Sequence, residues 1–187
     1  RWWAATLEAV AGLGLEGVAA AGACGRGATC VLLGQDGEVA GPSWPEAREP
    51  SLLTGLRAEH PGLSPQAAAM LAKALWWERQ SGAVVARVVS AKDFVVSRLT
   101  GVLTTDPASG GHGGIPQLVA PSAAWEMNGR ALAGGPLPAG TPVAVGWHDG
   151  AAATFGAGAA AEGVAPVTLG TNAVYRVVTR DIPAGLP

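Results

Sequence analysis

Apolar positions recur along the chain with two spacings, one helical and one strand-like. Residues 2 to 11, WWAATLEAVA, combine helical spacing with good helix formers, and Gly12, Gly14 and Gly17 end the predicted helix. GVAAAGACG, residues 17 to 25, predicts a buried strand of small residues. TCVLLGQDGEV, residues 29 to 39, predicts a strand, a turn at Asp36-Gly37 and the start of a second strand. GPSWPEAREPS, residues 41 to 51, is predicted as loop because its prolines forbid regular structure. Ser64-Pro65 reads as an N-cap and first helical residue, opening a helix that stops near Gly82. Residues 83 to 101, AVVARVVSAKDFVVSRLTG, continue apolar with helical segments. Residues 104 to 114, TTDPASGGHGG, are loop, and residues 116 to 140 stay irregular. TPVAVG, residues 141 to 146, predicts a buried strand, and DGAAATFGAGAA after it a helix of small residues. GVAPVTLGTNAVYRVVT, residues 163 to 179, predicts two strands around a Gly170-Thr171 turn. Alternating β and α elements predict an α/β protein without internal repeats.

Composition narrows the classes of function. The 187 residues suit one domain, or one domain and part of another. Hydrophobic residues make up 49% and charged residues 14%, enough for a core and against global disorder. A net charge of -2, without a Lys/Arg cluster, gives no footprint for nucleic acid. No run of about 18 strongly apolar residues exists, so no membrane span is expected. Glu8 and Glu16 interrupt any signal-peptide core at the start. Cys24 and Cys30 make no metal set and read as free thiols of a reducing cytoplasm.

Three motifs are decoys. Gly12 to Gly17 satisfies GxGxxG, but a predicted helix precedes it and Glu16 puts negative charge where a phosphate would sit. His112-Gly113-Gly114 is similar to the oxyanion loop of some hydrolases, yet no GxSxG elbow accompanies it, and a hydrolase using His112 or His148 would lack a nucleophile. His60, His112 and His148 have no ligand-like spacing.

Asp149 stands at the C-terminal end of the strand predicted at 141 to 146, where α/β sheets bind ligands. The small residues after it let a backbone or substrate come close. The turn Leu169-Gly170-Thr171-Asn172 offers N–H groups and a hydroxyl suited to a phosphate. A carboxylate with a phosphate-holding turn suits phosphoryl transfer to an alcohol. An Asp capping a helix N-terminus accounts for position 149 equally well.

The order of four stretches resembles the FGGY family of carbohydrate kinases, most of all its xylulose-kinase-like branch. ACGRGATCVLLGQDGEVAGPSW, leading into Trp44-Pro45-Glu46-Ala47-Arg48, is similar to the family's strand-and-hairpin and its W-x-D-x-R, with Glu46 for Asp. KALWW followed by AKDFVVSRLTG resembles its K-x-x-W helix and P-K-D-[YF]-x-x-x-x-L-T-G segment. Thr105-Asp106-Pro107-Ala108-Ser109 resembles a shortened T-D-x-S-x-A-S loop. GTPVAVGWHDGAAATFGAG with VTLGTNAV resembles G-x-P-V-x-x-G-x-x-D and the L-G-T-S turn.

The resemblance implies an incomplete ribonuclease-H-like kinase domain of the actin/hexokinase type, with the start of a second, similar domain. Residues 1–140 would be part of the sugar-binding domain, and residues 141–187 the hinge and start of the nucleotide-binding domain. Asp149 falls on the family's catalytic base, which deprotonates the attacking sugar hydroxyl. Gly170, Thr171 and Asn172 fall on the turn that contacts nucleotide phosphates. Trp44, Glu46, Arg48 and Arg26 match positions near the sugar, and Lys92, Asp93 and Asp106 match structural contacts. The implied substrate is a ketopentose such as xylulose or a related polyol, and the implied cofactors are ATP and Mg²⁺. The implied setting is the cytoplasm, with neither nucleic-acid nor membrane partners; a homodimer stays open.

The chain departs from the family at several points. No D-x-G-[TS] hairpin occurs, and the chain begins at the helix expected after the first three strands. Most of the adenine-binding half does not occur either, so this chain alone is expected to be inactive. Arg26 stands where the branch has Gln, and Ala28 where it has a sugar-contacting His. A degenerate kinase-like fragment that binds sugar or a partner without turnover is the alternative reading.

Overall fold

The computed structural model describes residues 2–42, 50–111, 115–170 and 173–180. The chain divides into two compact units, residues 1–148 and 149–187. The first holds α1 (Trp2–Val10), β1 (Cys24–Gly25), β2 (Cys30–Leu33), α2 (Pro50–Glu59), α3 (Pro65–Ser81), β3 (Arg87–Ser90), α4 (Ala91–Thr100), β4 (Met127–Arg130), β5 (Pro142–Ala144) and β6 (Trp147–His148). The second holds α5 (Asp149–Gly156), β7 (Val167–Leu169) and β8 (Ala173–Tyr175).

Local chemistry fixes α3. Ser64 is extended, and its hydroxyl accepts from the Ala67 N–H at 3.0 Å. Pro65 opens the first turn, where its missing N–H costs nothing. Gly82 closes the helix in the left-handed region at φ 69°, its N–H bonding the Glu78 carbonyl at 2.9 Å. Pro50 likewise opens α2, so the last two residues of the predicted loop over 41 to 51 are helical.

The segment around residue 88 differs from its predicted helical reading. Arg87–Ser90 is a strand antiparallel to β2, with Val31 opposite Val89 and Leu32 opposite Val88. Its two valines are stiff at χ1 and pack well on a pleated surface. Ser90 then turns the chain into α4 through a capping box: Asp93 N–H bonds the Ser90 hydroxyl, and Asp93 carboxylate takes the Ser90 N–H. Residues 116–140 are not wholly irregular, because β4 pairs antiparallel with β5, with a register shift between Met127 and Gly129.

Both faces of β2 are buried, which explains its unbroken CVLL run. Cys30 and Leu32 pack with Met70, Leu71 and Ala74 of α3 and with Val88. Val31 and Leu33 pack on the other side with Val89 and Phe94. Val96 and Leu99 of α4 meet Val143 and Ala131, so α4 lies between these strands and the β4–β5 pair.

The stretch 17–25 is less buried than its sequence suggests. Its strand is only Cys24–Gly25, parallel to Trp147–His148, with a further parallel bridge from Ala21 to Val143. Ala19, Ala20, Gly22 and Cys24 are exposed. Side chains this small remove little area from water when covered, so burial gains little here. Residues 141–148, expected with the second domain, pack in the first unit through these pairings. In the second unit, β7 and β8 form an antiparallel hairpin, with Thr168 opposite Val174.

Candidate active site

Asp149 directly follows β6 and is the exposed first residue of α5. Its Oδ1 accepts the Gly150 N–H at 2.8 Å, a bond to the next residue rather than the N-cap bond of a residue preceding the helix. Exposure leaves the carboxylate within reach of solvent and ligand. Gly150 is buried, and the Arg176 guanidinium lies across it: a Cβ added there would stand 2.8 Å from its Nη2. Arg176 follows β8 and also donates to the Thr168 hydroxyl at 3.4 Å. The second unit thus holds the Asp149 carboxylate at the first residue of α5 and the Arg176 guanidinium, from beyond β8, against the second. Spacing along the chain gives no sign of Arg176, because the hairpin alone brings it to α5. Gly170 follows β7 and is exposed.

Arg26 follows β1 and is exposed. Its carbonyl accepts the Thr29 N–H at 3.4 Å, closing a turn in which Ala28 takes φ 57°. Such a backbone is uncommon for a residue with a Cβ and needs support from its surroundings. Lys73, buried in α3, supplies it by donating to the Ala28 carbonyl. Trp44, Glu46, Arg48, Thr171 and Asn172 lie outside the described residues.

The resemblance treats Lys92, Asp93 and Asp106 as structural contacts, and the fold gathers them into one buried cluster. Lys92 Nζ pairs with Asp93 Oδ1 and, at 3.0 Å, with Asp106 Oδ2. Asp93 Oδ2 accepts from the Ser90 N–H at 3.0 Å, the Ser90 hydroxyl at 2.6 Å and the Thr105 hydroxyl at 2.7 Å. Asp106 accepts from the Ala108 N–H at 2.9 Å and the Ser109 hydroxyl at 3.2 Å. Every carboxylate oxygen therefore has a donor, which is the condition for keeping such charge out of water.

The two thiols differ sharply. Burial pushes the Cys30 thiol up to about 11, against the opposing pull of the Lys73 charge and a backbone hydrogen bond. Cys24 is free and exposed. A thiol reagent such as Ellman's is expected to label one cysteine in the native protein and both in denaturant. Two fast-reacting native thiols would contradict the burial of β2.

Among the described residues no group of three or more His, Cys, Asp or Glu gathers to hold a metal. Mg²⁺ bound with nucleotide phosphates needs only one or two carboxylates from protein. No helix among the described residues is long and apolar enough to cross a membrane.

No protein-family model matches the sequence, and no curated protein does. Solved structures match it. Ligand-bound xylulose kinase from Lactobacillus acidophilus superposes at TM-score 0.76 and 19% identity, over 94% of this chain and 44% of that one. The chain shares the carbohydrate-kinase fold. Xylulose kinase from Rhodospirillum rubrum aligns at TM-score 0.63 and 26% identity, over 78% of this chain and 38% of that one. Gluconate kinase from Lactobacillus acidophilus aligns at TM-score 0.68 and 18% identity, over 85% and 40%. The chain therefore spans less than half the length of these carbohydrate kinases.

Proposed function

We propose that this chain belongs to an ATP-dependent sugar kinase that phosphorylates a ketopentose such as xylulose, or a related polyol. The observation that carries the reading is Asp149: an exposed carboxylate at the exit of a parallel strand, in a chain with the fold of xylulose kinases. Asp149 takes the proton of the sugar hydroxyl as that oxygen attacks the γ-phosphorus of ATP. ATP supplies the transferred phosphoryl group and ADP leaves. The hairpin turn at Gly170 offers backbone donors to nucleotide phosphate. Arg176, lying on Gly150, brings a positive charge to the residue after the base, of the kind that stabilises a transferring phosphoryl group. Arg26, exposed after β1, offers a planar set of donors to sugar hydroxyls.

The test is a panel of pentuloses, hexuloses, polyols and gluconate, with ATP, Mg²⁺ and the product of the complete reading frame, reading ADP release. Sugar-dependent ADP release with a pentulose is expected. Sugar binding without ADP release across the panel would favour the non-catalytic reading instead.

A further inference from the structure

Lys92 is a buried cation that the proposed reaction does not use, held among two buried carboxylates. Its side chain is 1% exposed, and those of Asp93 and Asp106 are 0% exposed. Buried ion clusters add little net stability compared with apolar residues of similar volume. Stability is thus a poor account of this one, and its contacts suggest another.

Lys92 sits where two strand exits meet. Ala91, beside it, donates its N–H to the Thr29 carbonyl at 3.0 Å, tying α4 to the Arg26–Thr29 turn. Gly25, the last residue of β1, packs so closely that a Cβ added there would stand 3.3 Å from the Lys92 Cβ. The ammonium also reaches the Val145 carbonyl at 3.4 Å, in the short link between β5 and β6. That contact is long, but a full charge acting on a carbonyl at a buried site retains strength at this range. The two aspartates leave the ammonium little room to move: Asp93 holds it from its own helix, and Asp106 from the 105–109 loop.

We infer that Lys92 is a positioning residue for the reaction proposed above, on which this inference rests. It fixes residues 145–148, and with them the point at which the chain passes into Asp149.

The decisive variant is Lys92→Met/Asp106→Asn. It removes one positive and one negative charge together, so the cluster keeps its single excess negative charge. Asp93 keeps its Ser90 and Thr105 donors, and the methionine keeps the packing under Gly25. The restraint on Val145 is lost together with the donor to Asp93 Oδ1 and the tie from α4 to the 105–109 loop, so exchange at Val31 and Val89 reports whether the change spreads beyond residues 145–148. In the product of the complete reading frame, kcat for sugar phosphorylation is expected to fall on the order of 100-fold while KM for the sugar holds. Hydrogen exchange is expected to quicken at the amides of residues 145–148 and to stay unchanged at Val31 and Val89. Unchanged turnover with unchanged exchange would overturn the inference. So would a uniform rise in exchange, with kcat and KM moving together, which is the mark of a purely structural residue. If the unsubstituted protein phosphorylates no sugar, the proposed function fails by itself. The exchange result then decides the role of Lys92: a selective rise over 145–148 supports it, and no selective rise removes it.

Discussion

Asp149→Asn is expected to lower sugar phosphorylation by roughly 10²- to 10⁴-fold, the range a general base contributes, while sugar binding stays largely intact. The amide side chain keeps an acceptor for the Gly150 N–H, now bonded to the carboxylate at 2.8 Å. What it cannot do is accept the hydroxyl proton. Asp149→Ala removes the base and the acceptor of the Gly150 N–H together and is expected to cost about 1 kcal/mol in stability, the net worth of one such hydrogen bond. Comparing the two variants separates chemistry from the loss of this hydrogen bond. Equal loss of turnover with a stability loss only in the alanine variant is the expected pattern. Near-normal turnover in Asp149→Asn would remove Asp149 as the base, whatever the alanine variant did. The readouts are ADP release at saturating sugar and sugar binding by calorimetry.

Local signals explain which parts of the fold were legible. Ser64-Pro65 and Gly82 bracket α3 because caps are local chemistry, needing no knowledge of the tertiary fold. CVLL was legible as a strand because burial on both faces leaves a short, unbroken apolar run. RVVS was not: four apolar-rich residues beside a longer helical run satisfy either spacing, and only pairing with β2 settles the matter. The stretch 17–25 looked buried because alanine and valine look buried, but small side chains give a weak drive to bury them. Asp149 was visible from the order strand, acid, small residues. The Lys92 cluster was visible as residues but not as a cluster, since Asp106 reaches it from a separate loop. Arg176 was invisible for the same reason, because a hairpin carries it back to Gly150.

Gly146 joins the fold to the candidate site, and Gly146→Ala is expected to damage both. Its φ of 79° lies in the left-handed region, where a residue with a Cβ pays on the order of 1–2 kcal/mol. A Cβ there would also stand 2.1 Å from the Ala23 carbonyl oxygen and 3.1 Å from the Ala23 carbonyl carbon. Both are backbone atoms of the segment running into β1, so no side-chain rotation relieves the clash. The segments around Ala23 and Gly146 would have to separate, straining the pairing of Cys24 with Trp147 and Gly25 with His148. That pairing fixes the ends of the two strands leading into Arg26 and Asp149. The combined penalty is expected to reach about 3 kcal/mol or more, measured by the urea midpoint, with lower turnover in the fraction still folded. Gly140→Ala is the matched control. Gly140 has φ 86° but no atom within 4 Å of an added Cβ, so it should lose only the conformational share, about 1–2 kcal/mol, and keep its turnover. If the two variants lost equal stability, the close approach of Gly146 to Ala23 would not be what places these strands. The glycine three residues before the acid would then serve its turn alone. If Gly146→Ala alone lost turnover, the same contact would carry both the register of β1 against β6 and the setting of Asp149.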